Sequence, residues 1–316
     1  MIPVVHHPAY VVPAPSSSGY RWNKNGLIRD LLRERGDAFA WFEPVAMPRR
    51  WIEEAHDPDY VAEVIAAEVP REKERRIGFP VTDLVAARAQ IVPGGTWLAA
   101  TLALEHGFAA NSAGGSHHAL AATGAGYCIF NDLAIAAIRL VEEGRAERVL
   151  IVDCDVHQGD GTAALTAGRP GIATYSIHAE KNFPVRKAQS TLDVPLADGT
   201  GDAEYLETLE TTLLPLVDQF APDLILYQAG VDPLAEDRGH RVVRLQVDAA
   251  TVLLAAPKLK RRRVVDHARD LEAGALSEHT QALLAVQKEV TRRIELHPVD
   301  PVFAKGLARA DGNTQK

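Results

Sequence analysis

Residues able to do chemistry together crowd into three short segments. The first, 151–162 (IVDCDVHQGDGT), runs from an apolar stretch into Asp153, Asp155, His157 and Asp160. Carboxylates this dense are costly to bury unless a cation compensates them. Strand-like alternation would turn Asp153, Asp155 and His157 to one side. A solvated acidic loop is the plainer alternative, but Gly159 and Gly161 after an apolar run favour a tight turn between a strand and a helix. In the second segment, 224–237 (LILYQAGVDPLAED), Asp232 follows another apolar run, with Gly230 permitting close backbone approach. Alone, such an aspartate is more often a helix cap than a ligand. With Asp155 and His157 it completes a set of two carboxylates and one imidazole, leaving a position open for water and substrate, as in a catalytic zinc site. So oxygen-rich a set also admits Fe(II) or Mn(II). The third segment, 113–119 (AGGSHHA), places His117 and His118 in a glycine-flanked loop where both can face one cavity. Asp153 and Asp160 suit them as orienting partners. One histidine would take a proton from the attacking water and the other would protonate a leaving amine.

Such a site needs elements to position it. The runs 148–152, 171–177 and 223–227 read as short buried strands, and 131–143 and 203–220 as helices between them. This alternation predicts an α/β fold with a mostly parallel sheet covered on both faces. Ligands in such folds gather beyond the carboxyl ends of the strands, where the three segments lie. Upstream, 25–35 and 57–68 read as amphipathic helices, the second started by Asp57-Pro58, and 94–106 as a helix ending at Gly107.

Composition narrows the class. The 316 residues are 47% hydrophobic and 24% charged, which predicts a large buried core and not disorder. A net charge of −8 speaks against nucleic-acid binding by phosphate neutralisation. It leans toward cationic partners, although solubility alone selects such a charge. Only Cys128 and Cys154 occur, so no disulfide framework is expected and a reducing cytoplasm is the natural setting. Residues 1–14 lack a basic flank and carry three prolines, unlike a signal peptide. No apolar run approaches the ~20 residues that span a bilayer. The expectation is a soluble cytoplasmic protein without membrane or nucleic-acid partners.

The blocks GGSHHA, GYCIFNDLAIAA, DCDVHQGDGT and QAGVDPLAED resemble, in order and spacing, the signature segments of the histone deacetylase superfamily. That superfamily includes bacterial acetoin-utilisation-type proteins and acetylpolyamine amidohydrolases. HPAYVVPAP and AHDPDYV (55–61) also resemble small bacterial members related to the class IV enzymes. The resemblance extends to roughly Arg238. It implies an arginase-like three-layer α/β/α fold with a single parallel sheet, one domain over 1–316, and a narrow tunnel leading to zinc. By the same resemblance Asp155, His157 and Asp232 match the zinc ligands. His117 and His118 match the acid–base pair, His117 as base, with Asp153 and Asp160 as their partners. Gly126 and Tyr127 match a tunnel wall where the family commonly has Gly-Phe, and Phe183 matches the opposing aromatic. Two aromatic faces suit the stem of an acylated lysine or acylated polyamine. Ser176 resembles a position contributing to a structural potassium site.

The pattern breaks near its end. A tetrahedral oxyanion calls for a donor opposite the metal, supplied in the family by a tyrosine after a glycine-rich strand end. Here Tyr227 is the last tyrosine, and Gly239, Gly274, Gly306 and Gly312 are isolated. Arg238-Gly239-His240 stands where the family reads Arg-Leu-Gly, followed by basic 258–263 and mostly helical 264–296. Residues 251–256 could supply a late strand, or 246–259 a helix. His267 is the candidate replacement donor, with a surface helix histidine as the alternative. Two other readings stand beside a deacetylase: an impaired scaffold that binds an acylated ligand or a protein, and a dinuclear ureohydrolase, against which the tandem histidines argue.

Overall fold

Val149–Asp153 is buried along its whole length and forms the axis of the fold. In the computed structural model, which describes residues 1–13, 20, 22–34, 36–228, 230 and 232–233, it is the fourth strand, β4. It pairs in parallel with β5 (Ile172–Ala179) on one side and β7 (Leu224–Gln228) on the other. β6 (Leu192–Leu196) lies outside β5, giving the order β6-β5-β4-β7. A second parallel sheet has the order β2-β1-β3, from β1 (Ile2–Val5), β2 (Phe39–Phe42) and β3 (Ala110–Asn111). The single sheet implied by the family resemblance is thus corrected: among the described residues the strands form two sheets. β3 is two residues long and, among the described residues, pairs only with β1, as β7 does only with β4.

Alternation along β4 explains the layers. Val149 and Ile151 face one side, packed with Ala99, Ala103, Leu133 and Ala137. These come from α5 (Asp83–His106) and α6 (Asp132–Glu142), whose alanines let helices and strands approach closely. Leu150 and Val152 face the other side, against Tyr205, Leu209 and Leu213 of α8 (Asp202–Phe220). The result is an α/β architecture with strands sandwiched between helices. α5 begins at Asp83, capped by Thr82, well before the start expected at Gly94. Pro93-Gly94-Gly95 disguises its middle, because these are helix-breaking residues in most settings; all three are buried inside the helix. It ends, as the sequence suggests, at Gly107 in the left-handed region.

The remaining α-helices among the described residues are α1 (Lys24–Arg33), α2 (Arg49–Glu53), α3 (Pro58–Ile65), α4 (Arg71–Ile77) and α7 (Asp160–Thr166). α3 starts where Asp57 accepts the Asp59 N–H at 2.9 Å. Arg238, His267 and the alternative elements at 246–259 lie outside the described residues.

Ile151→Ala removes a fully buried side chain from the central strand. It is expected to cost about 2–5 kcal/mol, read as a lower urea midpoint at unchanged slope. A loss below ~1 kcal/mol would show that β4 is not the axis of the core.

Candidate active site

β4 stops at Asp153, and the next residues form a turn, not the continuing strand that alternation suggested. The carboxylates themselves build that turn. Asp153 Oδ1 accepts the Asp155 N–H at 3.0 Å, and Asp155 Oδ1 accepts the His157 N–H at 2.9 Å. Each thereby closes a side-chain-to-backbone turn two residues ahead. From the end of the neighbouring β7, Asp232 reaches across, its Oδ1 accepting the Val156 N–H at 3.0 Å. Gly230 permits the crossing: a Cβ there would stand 2.6 Å from Asp155 Cα.

Asp155, His157 and Asp232 consequently each offer one donor atom within 4.8 Å of the others. His157 Nδ1 lies 2.9 Å from Asp155 Oδ1 and 3.1 Å from Asp232 Oδ2. Burial, and then the neighbouring Asp232 charge, push the Asp155 carboxyl above its ordinary range. Two carboxylates and an imidazole held this close fit a divalent cation, which would relieve that repulsion.

The tandem histidines stand beside this cluster. His117 Nδ1 is 2.7 Å from Asp153 Oδ2, and His118 Nδ1 is 2.8 Å from Asp160 Oδ1. With Nδ1 occupied on both rings, Nε2 is left for the cavity; that of His117 lies 3.9 Å from Asp155 Oδ1. The ring centroids are 4.0 Å apart. Burial opposes protonation of both rings. At His117 the Asp153 and Asp155 charges overcome it and raise the imidazole to about 10. At His118 burial, reinforced by the charge of His117, lowers it to about 4. Adjacent groups pushed this far apart are the usual mark of an acid and a base.

Gly126 and Phe183 border the histidines. Gly126 has φ +53°, and a Cβ there would sit 2.7 Å from His118 Cδ2 and 3.5 Å from Phe183 Cε1. The Phe183 ring meets His118 edge-on at 4.8 Å and lies 6.3 Å from His157. Tyr127, half exposed, stacks on Phe79 at 6.2 Å and neighbours Tyr20 at 5.6 Å. Ser176 is opposite Asp153 in the β4–β5 register, its Oγ 3.0 Å from His178 Nδ1.

The histone deacetylase domain model matches residues 22–264. The chain belongs to the histone deacetylase family. An uncharacterized protein of Picosynechococcus sp. is 45% identical over 238 residues, 75% of this chain and 79% of that protein. Acetoin utilization protein AcuC of Staphylococcus aureus is 40% identical over 131 residues, 38% of this chain and 33% of AcuC. The match thus spans about a third of that relative. The crystal structure of the HDA15 HD domain superposes with a TM-score of 0.65 at 19% identity, covering 75% of this chain and 74% of that one. At that identity the likeness shows the fold, an arginase/deacetylase-like α/β architecture. Family membership supports a hydrolase of the deacetylase type.

The structure of this histone deacetylase-family chain also reveals supports that sequence reasoning missed. Asp132, fully buried, accepts hydrogen bonds from Ser116 N (2.8 Å), Gly115 N (3.2 Å) and Thr96 Oγ1 (2.6 Å). Asn131 caps α6 through Ala134 N and donates from Nδ2 to the His117 carbonyl at 3.4 Å. His56 Nε2 accepts the Asn131 N–H at 2.9 Å, which places the ring proton on Nδ1, where it donates to Leu120 O at 2.9 Å. Three side chains therefore hold the histidine loop on both sides. The wall loop has its own clamps. Gln158 both donates to Ala188 O and accepts from Ala188 N, and Lys187 Nζ donates to the carbonyls of Asn182 and Pro184 on either side of Phe183. The FND before an apolar helix is an N-cap signature that could have found Asn131. His56 gave no local signal, because its partner lies 75 residues away.

Burial lowers His56 from its ordinary 6.5 to about 4. The unfolded chain therefore takes up this proton first, so stability is full above pH 6.5 and is lost as pH falls toward 4. At ~1.4 kcal/mol per pH unit the interval corresponds to about 3 kcal/mol. His56→Gln should lose that much less stability than the parent between pH 7 and pH 4 in denaturant titrations. Equal losses in the two proteins would mean that His56 is not held neutral.

Proposed function

We propose that this chain is a zinc-dependent deacetylase, removing acetyl or other acyl groups from the nitrogen of a lysine side chain or a polyamine. One observation carries the reading. Two imidazole–carboxylate pairs, His117–Asp153 and His118–Asp160, stand beside the Asp155, His157 and Asp232 cluster. A cation held there, Zn2+ or alternatively Fe2+, would supply Lewis-acid polarisation of the acyl carbonyl and of the attacking water. Everything else falls to the protein. Asp153 is the strongest of the charges that raise His117, and a cation between Asp155 and Asp232 would remove part of the rest, moving the imidazole toward the range of a general base. Its Nε2 then takes the proton from water, while Asp153 holds the ring and steadies the imidazolium. His118, oriented by Asp160 and kept neutral by burial, stands beside it, and the proton that His117 takes from water is the one passed on to the leaving amine. Gly126, Tyr127 and Phe183 form the passage through which the acylated stem enters. Ser176 belongs to the same reading as a ligand of a structural potassium ion.

Two buried free thiols, Cys128 and Cys154, support a reducing cytoplasmic setting. Among the described residues no helix is long and apolar enough to cross a membrane.

A second reading, an impaired scaffold that binds acylated ligands, is favoured by one sequence fact: no tyrosine follows Tyr227 within the 316 residues. Loss of one oxyanion donor typically costs ~10²–10³ in rate, so slow turnover is compatible with the site. His267 is the residue proposed as substitute donor.

The test uses fluorogenic acyl-lysine and acetylated polyamine substrates with added zinc. The parent protein should turn over, and His117→Ala should fall by about 10²–10⁴. Activity equal in both, or absent in both with metal bound, sinks the enzyme reading. Bound zinc, measured by elemental analysis, should be stoichiometric in the parent and lost in Asp155→Ala and Asp232→Ala. Zinc retained by both variants would place the metal elsewhere.

A further inference from the structure

We propose that the mouth of this site is built for an acylated lysine lying in an acidic stretch of polypeptide, gripped by Arg75, Arg76, Lys181 and Arg186; the acyl-lysine half of this statement rests on the deacetylase reading above. The chain as a whole carries −8, so a basic opening is not what its composition leads one to expect. Yet two basic segments frame the entrance. The end of α4 is tied to the wall, since Gly126 N–H donates to Arg76 O at 3.0 Å and Tyr127 N–H to Ile77 O at 2.7 Å. Facing Gly126 is Phe183, with Lys181 and Arg186 close by in sequence.

The charges divide unevenly. Arg71–Ile77 (REKERRI) has four basic and two acidic residues, and 180–187 (EKNFPVRK) has three basic and one acidic. Several of these are already engaged. Lys73 pairs with Glu63 at 2.6 Å, Glu74 accepts the Val81 N–H, and Lys187 is spent on the loop carbonyls. Arg75, Arg76, Lys181 and Arg186 are all exposed and make no ion pair among the described residues. Between Phe183 and Arg186, Val185 is 96% exposed and offers an apolar contact beside the acylated stem.

Long, unpaired cations around one opening raise the local concentration of anions and fix their register. Carboxylates on either side of an acyl-lysine would meet them. A polyamine brings ammonium groups to the same rim, and like charges brought together there oppose binding. The rim thus favours the polypeptide substrate over the small amine.

Fluorescence anisotropy of the full chain with zinc tests this, using labelled peptides of one length whose acetyl-lysine is flanked by glutamates or by lysines. Flanking charge survives deacylation, so turnover does not erase the signal. The glutamate peptide should bind about tenfold tighter at low salt, and the gap should close near ~0.5 M salt. Arg75→Glu/Arg76→Glu/Arg186→Glu should reverse the preference, while Arg50→Glu, outside both segments, should preserve it. Equal affinity, binding of neither peptide, or a preference that survives the charge reversal overturns the proposal. So does tighter binding of an acetylated polyamine or of a single-stranded oligonucleotide. Charge preference without deacetylation would sink the proposed activity alone, and deacetylation without charge preference would sink the rim alone.

Discussion

Four carboxylates, Asp153, Asp155, Asp160 and Asp232, meet at the ends of two adjacent parallel strands, and three of them are buried. Leaving such charges uncompensated in a protein interior is costly enough to undo a fold of ordinary stability. Most of the local structure can be understood as a response. Asp153 and Asp160 each hold an imidazole, Asp153 and Asp155 satisfy backbone N–H groups of the turn they create, and Asp232 takes the Val156 N–H. What remains unbalanced sits between Asp155 and Asp232, where His157 points.

The histidines need equal rigidity, and theirs comes from a different place. The loop 114–118 is held by Asp132 and Asn131 at the start of α6, a helix packed along the central sheet, while His56 spans from Leu120 to Asn131. Metal-ligand candidates and histidines are thus mounted on separate parts of one core, strand ends for the first and a helix start for the second. Their relative placement is fixed by the packing of α6 on β4. A pair of imidazoles 4.0 Å apart tolerates little drift if each is to keep its own carboxylate.

Much of this was legible in the sequence because short apolar runs ending in Asp and Gly are a strong local pattern. β4, β5, β7, α6 and α8 lie within a residue or two of the expected limits, and α3 starts at its Asp57 cap. β1 and β2 have only four residues each, and Pro3 and Pro195 interrupt the alternation of β1 and β6, so none of the three carries a clear strand pattern in the sequence. A turn after the strand is legible from Gly159 and Gly161, but how the aspartates build it is not. Alternation and an Asp-built turn both bring Asp153, Asp155 and His157 together, so the sequence pattern alone could not tell them apart. The buttresses of the histidine loop were the least visible. A hydrogen bond between residues 75 apart leaves no periodicity to find.

The reach of Asp232 to Val156 spans 76 residues of chain. In the unfolded polypeptide Asp155 and His157 stay neighbours, but Asp232 wanders, and bringing it back carries a loop-closure entropy that only the assembled β4–β7 pair overcomes. The donor triad is therefore a property of the fold and not of any peptide cut from it. A cation that took all three donors would act as a clip across that long loop, and its binding energy would be folding energy as well. Chelation and denaturation would then be two routes to the same loss.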